Sequence, residues 1–392
     1  MKKMSKVLCL VMAFAMVCAC FAGCGKKSGG SKGYTSGNTE YVIGLSGPLT
    51  GGAAIYGNGV KNGAQMAVDE INEAGGLNGV KFKLEAMDDM NDATKVATNY
   101  SNLLEKGMQV SLGCVTSAPC AEWTNLSHED NVFFMTPSAS NDDVPKYDNG
   151  YQMCFADGNQ GKAAADFVNE NYKGQTIGVF YKSDDNYSSG IFKQFKENLS
   201  KDVKTVETVF TDAGATSFDT QINELKNCKF IFMPIYYTPA SLFMTQAKGV
   251  IADDAVFYGC DGFDGLTSAE GFDITKVPQE VSMLSHFDST ATEGPAGEFI
   301  KKYTEKYGAE TLNQFGASAY DCVYAIYNAM KLAKVDDVTI SASDLCDKLK
   351  EVFNGGFKFE NAVTGGGSEV TWESNGYVNK HAIKFVLKEA DK

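Results

Sequence analysis

Arginine is absent from this 392-residue chain, in which all 35 basic residues are lysine. No site can therefore hold a carboxylate or phosphate through a planar, bidentate guanidinium group. An anionic ligand must be bound by lysine, hydroxyl groups, backbone N–H groups or helix N-termini. Basic charge is also scarce overall, since 49 acidic residues leave a net charge of −14. This balance excludes a nucleic-acid binder that works by neutralising phosphates.

Long apolar runs are scarce as well, and the longest one lies at the N-terminus. Lysines precede an unbroken apolar run at 7–22, which is short for a membrane span and typical of a secretory signal. The following residues 21–24 (FAGC) resemble the lipobox of bacterial lipoproteins, with Phe21 where leucine is usual. We expect 1–23 to be a signal peptide and Cys24 to be lipidated; an uncleaved anchor helix is the alternative. Residues 24–40 would then form a Gly/Ser-rich flexible tether at the extracellular face of the cytoplasmic membrane.

Residues suited to catalysis or metal binding are few. Only three histidines occur, and the seven cysteines beyond Cys24 form no CxxC pair and stand mostly in apolar contexts typical of a buried core. The glycines of 57–63 have GxGxxxG spacing and do not follow a strand directly, unlike a dinucleotide loop. The acidic run 88–92 lacks EF-hand spacing. We expect no enzyme activity, no cofactor and no metal.

From residue 41 the chain alternates short β-branched or aromatic runs with longer amphipathic ones. This alternation is typical of an α/β fold with doubly wound, Rossmann-like parallel sheets, here in two lobes with a cleft at the strand C-ends. The C-terminal third is mainly helical and ends in a predicted hairpin through Asn375-Gly376. The predicted strands are 41–46, 81–87, 109–113, 131–135, 176–181, 203–209, 229–233 and 255–259.

Two loops in the first half carry small hydroxyl residues at predicted strand ends. In 113–119 (GCVTSAP), Pro119 suits the first position of a helix with Ser117 or Ala118 at its cap. A hydroxyl and free N–H groups at a helix N-terminus form a carboxylate site. The loop 136–141 (TPSASN) is either a turn or a second part of the same carboxylate site. Ordinary capping remains an alternative for both loops.

A third loop, 258–265 (YGCDGFDG), places Asp261 at a strand end between small residues, where it could meet a cation. Asp264 is the competing candidate, although a turn role suits it better. Tyr187 and the pair Tyr236-Tyr237 also follow predicted strands and could supply aromatic walls. One lobe then offers hydroxyl and N–H groups that can bind an anion, and the other offers a carboxylate that can bind a cation. Together these groups suit a zwitterionic amino acid.

These loops resemble those of the substrate-binding proteins of branched-chain amino-acid ABC transporters, the leucine/isoleucine/valine-binding type. The resemblance runs in order from about residue 41 to about residue 390. It is specific for the superfamily and less so for the ligand. The matching segments are 43–51 (IGLSGPLTG), 70–79 (EINEAGGLNG), 113–119, 136–140, 258–264 and 371–376 (TWESNG).

The resemblance implies a periplasmic binding protein of type I, with two lobes joined by a three-stranded hinge. Lobe I would comprise 41–154 plus 284–356, and lobe II 155–283 plus 357–392. The ligand carboxylate would be held by Ser117 and Ser140, and the ammonium by Ser138, Ser140 and Asp261. The residues implied or expected at the site are Tyr56, Thr116, Ser117, Ser138, Ser140, Tyr187, Tyr237 and Asp261.

The resulting functional hypothesis is a monomeric, lipid-anchored protein that captures a branched-chain or other small apolar amino acid. It would deliver this ligand to the permease of an ABC transporter. The alternative is a receptor module of the same fold that senses amino acids or amides.

Overall fold

The computed structural model describes residues 32–212, 214–367 and 369–391. The predicted signal peptide, Cys24 and the first part of the tether lie outside the described residues. A one-turn helix, α1 (Lys32–Thr35), precedes the first strand. Thr35 is buried, and its hydroxyl donates to the carbonyl of Thr339 at 3.0 Å. The chain therefore packs onto the body before residue 40, earlier than a flexible tether through residue 40 implies.

The first sheet is five-stranded and entirely parallel, in the order β2-β1-β3-β4-β5. All seven residues of β1 are buried, as expected for an inner strand covered on both faces. Its strands are β1 (Tyr41–Gly47), β2 (Phe82–Asp88), β3 (Val110–Cys114), β4 (Phe134–Thr136) and β5 (Gly150–Gln152). The intervening helices are α2 (Ala54–Glu73), α3 (Val96–Glu105) and α4 (Ser117–Glu129).

The second sheet is six-stranded, in the order β13-β10-β9-β8-β6-β7, and only its edge strand β13 is antiparallel. Its strands are β6 (Thr176–Lys182), β7 (Lys204–Phe210), β8 (Phe230–Met233), β9 (Val256–Gly259), β10 (Glu280–Ser285) and β13 (Ile383–Lys388). Its helices are α5 (Asp157–Asn171), α6 (Asn186–Asn198), α7 (Asp219–Leu225) and α8 (Tyr237–Ala247). The prediction of two α/β lobes, each built on a mainly parallel sheet, is thus confirmed.

Three C-terminal helices complete the first lobe: α9 (Gly294–Tyr307), α10 (Gln314–Leu332) and α11 (Ala342–Asn354). Helix α10 packs closely on α2, because Gly63 and Gly316 meet where neither position has room for a larger side chain. Tyr320 and Tyr324 of α10 also donate hydroxyl hydrogen bonds to Glu70 of α2, at 2.6 and 2.9 Å. Among the described residues, no helix has the length and apolar character needed to cross a bilayer.

The strand pairing predicted for the C-terminal hairpin is wrong, although its turn at Asn375-Gly376 forms, with the Gly376 N–H donating to the Glu373 carbonyl at 3.0 Å. Strand β12 (Val370–Thr371) pairs with β11 (Lys358–Phe359), whereas β13 pairs with β10. Only a single bridge, between Trp372 and Val378, spans the Asn-Gly turn. Strand β13, which was predicted as the second strand of the hairpin, instead pairs with the free edge of β10 and completes the sheet. Strands β5 and β10 were not predicted at all.

The chain passes between the two sheets three times. The first crossing is 153–156, between β5 and α5, and the second is 286–293, between β10 and α9. The third crossing, 355–382, contains β11 and β12 and leads from α11 to β13. Part of this last segment also touches the first sheet, since the Trp372 indole donates to the Gln152 carbonyl at 2.7 Å.

Candidate functional site

A narrow cavity, with about 10 Å³ of free space, lies where the strand-end loops of the two lobes meet. Both lobes contribute to its wall, as expected for a cleft at the C-ends of parallel strands. The lining residues are Tyr56, Val115, Thr116, Ser117, Ser138, Tyr187, Tyr236, Asp261, Gly262 and Phe315.

The first-lobe side of the cavity is the N-terminus of α4. Thr116, in an extended conformation, is the N-cap residue and Ser117 is the first helical residue. This places Pro119 at the third helical position, not the first as the sequence suggested. The N–H groups of Ser117 and Ala118 have no acceptor within the helix and lie at its positive end, whereas Pro119 has no N–H. The buried Thr116 hydroxyl also has no partner, so this end of the cavity can bind a carboxylate.

The second hydroxyl loop is fixed against the first by hydrogen bonds. Thr136 donates to the Cys114 carbonyl at 2.9 Å, and Ser138 donates to the Val115 carbonyl at 2.5 Å. Ser117 Oγ accepts from the Asn141 N–H at 3.3 Å. Ser138 reaches the cavity wall, whereas Ser140 does not line it, although its buried hydroxyl has no partner. The two loops therefore form one unit, with Ser140 behind it.

The second-lobe side is dominated by Asp261, which is 1% exposed and follows β9. Its Oδ1 accepts the Tyr187 hydroxyl at 2.6 Å, and its N–H donates to Gln160 Oε1 at 2.9 Å. Its Oδ2 is buried without a partner. Burial raises the pKa of Asp261 to about 7, and the nearby charge of Asp264 adds to this effect. An ammonium group beside Oδ2 would supply the missing partner and favour the ionised carboxylate.

Aromatic side chains enclose the remainder of the cavity. Tyr187 and Tyr236 stack with ring centroids 4.7 Å apart, and Phe315 packs edge-on against Tyr56 at 5.0 Å. Tyr187 Oη also accepts the Gly262 N–H at 2.8 Å. A small ligand would therefore meet apolar ring surfaces between its two charged ends.

Tyr237, predicted as a wall residue, lies behind Tyr56 and does not line the cavity. Its ring packs edge-on against Tyr56 at 5.1 Å, and its N–H donates to Tyr56 Oη at 3.1 Å. Tyr236 takes the wall position, because it caps α8 in an extended conformation and Tyr237 already belongs to the helix. Phe315 was missed as well, since nothing in the sequence connects a C-terminal helix with these loops.

Several hydrogen bonds join the lobes around the cavity, so the structure is a closed one. Tyr56 Oη donates to the Gly262 carbonyl at 2.5 Å, and the Thr238 hydroxyl donates to the Gly52 carbonyl at 2.6 Å. The Gln314 N–H donates to Asp264 Oδ2 at 2.7 Å. Asp264 therefore caps α10 across the cleft and does not face the ligand space.

The acidic run 88–92 is committed to hydrogen bonds within the protein. Asp88 accepts from the N–H groups of Leu49 and Met90, and Asp89 accepts the Ser46 hydroxyl at 2.9 Å. Asp92 caps the short 3-10 turn at Ala93–Lys95. Within the described ranges, no group of three or more His, Cys, Asp or Glu side chains is placed to hold a metal ion.

Comparison of the sequence with known proteins identifies the family of this chain. The family described as "Periplasmic binding protein" matches residues 40–365. The leucine-, isoleucine-, valine-, threonine-, and alanine-binding protein of Pseudomonas aeruginosa is 30% identical over 314 residues, covering 78% of this chain and 81% of that protein.

Solved structures of similar proteins share the fold. The leucine-binding protein LivK of Thermotoga maritima has a TM-score of 0.76 at 22% identity and covers 89% of this chain and 95% of its own. LivJ of Streptococcus pneumoniae, in complex with isoleucine, has a TM-score of 0.73 at 26% identity and covers 88% and 100%. A solute-binding protein of Rhodopseudomonas palustris, in complex with p-hydroxybenzoic acid, has a TM-score of 0.74 at 15% identity and covers 90% and 94%. The chain thus belongs to the periplasmic binding protein family, in its branched-chain amino-acid ABC transporter group.

Proposed function

We propose that this protein captures a small apolar amino acid in the closed cleft and delivers it to an ABC permease. One observation carries the proposal: the buried, unpartnered Oδ2 of Asp261 shares a small cavity with the N-terminus of α4. A carboxylate acceptor on one side and N–H donors on the other match the two charged groups of an amino acid.

The proposed contacts follow from this arrangement. The ligand carboxylate binds the first-turn N–H groups of α4 together with Thr116 and Ser117. The ammonium binds Asp261 Oδ2, with Ser138 beside it and Ser140 as supporting polar group. Tyr56, Tyr187 and Tyr236 enclose the ligand when the lobes close.

The side-chain preference is inferred from the cavity wall. Val115 and Phe315 are apolar and buried, and the narrow cavity that they line leaves little room for a long or charged side chain. A branched aliphatic side chain suits such a space, because it gains from leaving water and needs no hydrogen bond. The names of the relatives, several of which bind leucine, isoleucine and valine, support this preference.

A second ligand class, aromatic carboxylates, is represented among the structural neighbours by the p-hydroxybenzoic acid complex. Such a ligand has a carboxylate for α4 but no cation for Asp261. Binding it would leave a buried carboxylate without compensation, which is costly. Asp261 therefore favours an amino acid.

The location and delivery also belong to the proposal. Cleavage after residue 23 and lipidation of Cys24 would hold the protein at the extracellular face of the membrane, beside its permease. The closed lobes, proposed as 41–154 plus 284–356 and 155–283 plus 357–392, would form a monomer whose surface the permease recognises. Membrane fractionation of wild type and Cys24→Ser tests this part, since only the wild type should sediment with the membrane.

Calorimetric titration of the purified protein tests the ligand class. L-isoleucine, L-leucine and L-valine should bind and raise the melting temperature. The 2-hydroxy acid corresponding to isoleucine, which lacks the ammonium, and p-hydroxybenzoate should bind at least tenfold more weakly. Binding of p-hydroxybenzoate with no binding of any amino acid would refute the proposal.

A further inference from the structure

A second buried polar group of side chains lies away from the cavity, where the three crossings meet helix α10. We call it the hinge cluster and define it as His286, Gln314, Ser318, Asp321, Thr364 and Lys380. All six residues are buried. Neither ligand binding nor packing of the apolar core explains why a lysine, an aspartate and a histidine lie together here. Burying each of these side chains costs free energy.

Lys380 connects the first and third crossings. It is 3% exposed, and its ammonium donates to the carbonyl of Met153 at 2.6 Å and to the hydroxyl of Thr364. Met153 is the first residue after β5, whereas Thr364 and Lys380 both belong to the third crossing. One side chain thus fixes the spacing of two chain segments that run between the lobes.

Asp321 attaches the third crossing to helix α10. Its two carboxylate oxygens accept the N–H groups of Val363 and Thr364, both at 2.9 Å. The Thr364 hydroxyl donates to the same carboxylate at 2.5 Å while it accepts from Lys380. Thr364 therefore links the lysine with the aspartate.

His286 brings in the second crossing. Its Nε2 lies 2.6 Å from Ser318 Oγ, and its N–H donates to Gln314 Oε1 at 3.3 Å. Its carbonyl accepts the N–H of Gly365, in the third crossing, at 2.8 Å. Positions 314, 318 and 321 lie on one face of α10, so a single helical face contacts the second and third crossings.

The same helix reaches the ligand cavity. Its first N–H, on Gln314, is bound by Asp264, and the next residue, Phe315, lines the cavity. Asp264 follows three residues after Asp261 in the second lobe. Helix α10 thus joins the cavity rim to the crossings over a short stretch of rigid backbone.

The charges of the hinge cluster balance internally. The groups acting on Lys380 are the carboxylate of Asp321 and the thiols of Cys154 and Cys322, and Lys380 in turn acts on His286. Burial raises the pKa of both thiols and lowers the pKa of His286, so all three are neutral at pH 7. Lys380 and Asp321 then remain as the groups of opposite charge in this region, and the Thr364 hydroxyl links them.

We propose that Lys380 is a positioning residue for ligand capture: it holds the first and third crossings together and, through Thr364 and Asp321, fixes them to α10, in an arrangement about which the lobes close. The proposal rests on capture by lobe closure. It predicts that loss of Lys380 changes the relative positions of the lobes even in the absence of ligand, and not merely the stability of the protein.

The test compares Lys380→Met with Lys384→Met, which removes a partly exposed lysine of the adjoining strand β13 that is paired with Glu280. Dyes attached through unnatural amino acids at the exposed positions Ser101 and Lys201, one in each lobe, report the interlobe distance by single-molecule energy transfer. Isoleucine affinity is measured by calorimetry on the same proteins. Lys380→Met should broaden or shift the ligand-free distance distribution and weaken isoleucine binding by roughly 10- to 100-fold, as expected for a lost charged hydrogen bond.

Further variants separate the positioning role from a role in folding. Adding Asp321→Asn to Lys380→Met removes the unpaired buried charge, so the melting temperature should partly recover while the distance distribution stays altered. If Lys380→Met does not fold, Thr364→Val breaks the same link without leaving a charge unpaired and should alter the distribution in the same way. Unchanged distance and affinity together with a lower melting temperature would overturn the proposal. If the wild type does not bind isoleucine, the proposed function fails, and the ligand-free distances still decide the role of Lys380.

Discussion

Replacing Asp261 by asparagine should remove most of the ligand affinity and leave the empty protein at least as stable as the wild type. The substitution keeps the shape of the side chain and its acceptor for the Tyr187 hydroxyl, which lies 2.6 Å from Oδ1. It replaces Oδ2, which is buried without a partner, by an uncharged NH2 group, so the negative charge and the acceptor for an ammonium are both lost. A residue that is both a binding group and an unfavourable buried charge should show these two effects together.

The magnitudes follow from the burial of the carboxylate. A hydrogen bond to a charged group contributes about 1.5–3 kcal/mol, so the Kd for isoleucine should rise roughly 10- to 150-fold. Burial raises the pKa of Asp261 from 3.8 to about 7. The protonated form is thus favoured on folding, and stability is lost as the pH rises from about 4 through about 7. At one pH unit per 1.36 kcal/mol this loss reaches roughly 4 kcal/mol, and the variant should not show it.

Calorimetry at pH 8 and thermal unfolding between about pH 4 and about pH 8 measure both effects. The melting temperature of the empty variant, relative to wild type, should rise across this range. Asp264→Asn is the matched control, because Asp264 is a partly buried carboxylate that binds the Gln314 N–H of α10 and has no place in the ligand space. Wild-type affinity in the Asp261 variant, or a melting temperature that falls relative to wild type as the pH rises, would refute the reasoning.

Three further outcomes are expected. Isoleucine affinity of the wild type should fall as the pH is lowered from about 8 to about 5.5, because protonated Asp261 cannot pair with an ammonium; calorimetry should show no such fall in Asp261→Asn. Tyr56→Phe removes the hydroxyl that joins Gly262 and Tyr237 across the cleft, and should weaken binding roughly tenfold with unchanged secondary structure by circular dichroism. Gly262→Ala places a methyl group 2.6 Å from the Tyr187 hydroxyl, so calorimetry should show weaker binding, whereas Gly37→Ala, where nothing lies within 4 Å, should not.

The alternation of strands and helices could be predicted from the sequence because each of these elements has its own local pattern of apolar residues. Runs such as 176–181 are apolar throughout and bounded by amphipathic stretches, and the structure places them as inner parallel strands. Strand β5, by contrast, is three residues long and forms only because β4 offers a free edge. The pairing of β13 with β10 joins segments about a hundred residues apart in sequence, and no local pattern encodes that contact.

The loops of the candidate site could be predicted from the sequence for a related reason. Ser117 and Asp261 stand at the ends of parallel strands, and the topology of such sheets brings these ends to one edge. Tyr236 was confused with its neighbour because the first residue of α8 depends on a cap geometry that the sequence leaves open by one position. Phe315 and three residues of the hinge cluster (Gln314, Ser318 and Asp321) belong to α10, whose contacts are set by the crossings and not by periodicity.

The absence of arginine gives the candidate site an asymmetry that bears on selectivity. Its anion end consists of N–H dipoles and hydroxyls, which bind a carboxylate without requiring a counter-charge to be buried beforehand. Its cation end is a carboxylate that burial already disfavours and that no lysine of the cavity wall neutralises. A ligand with a carboxylate alone satisfies the first end and leaves the second uncompensated, whereas a zwitterion satisfies both. Discrimination against simple carboxylates should therefore come mainly from Asp261, and Asp261→Asn should narrow the difference between isoleucine and its 2-hydroxy acid.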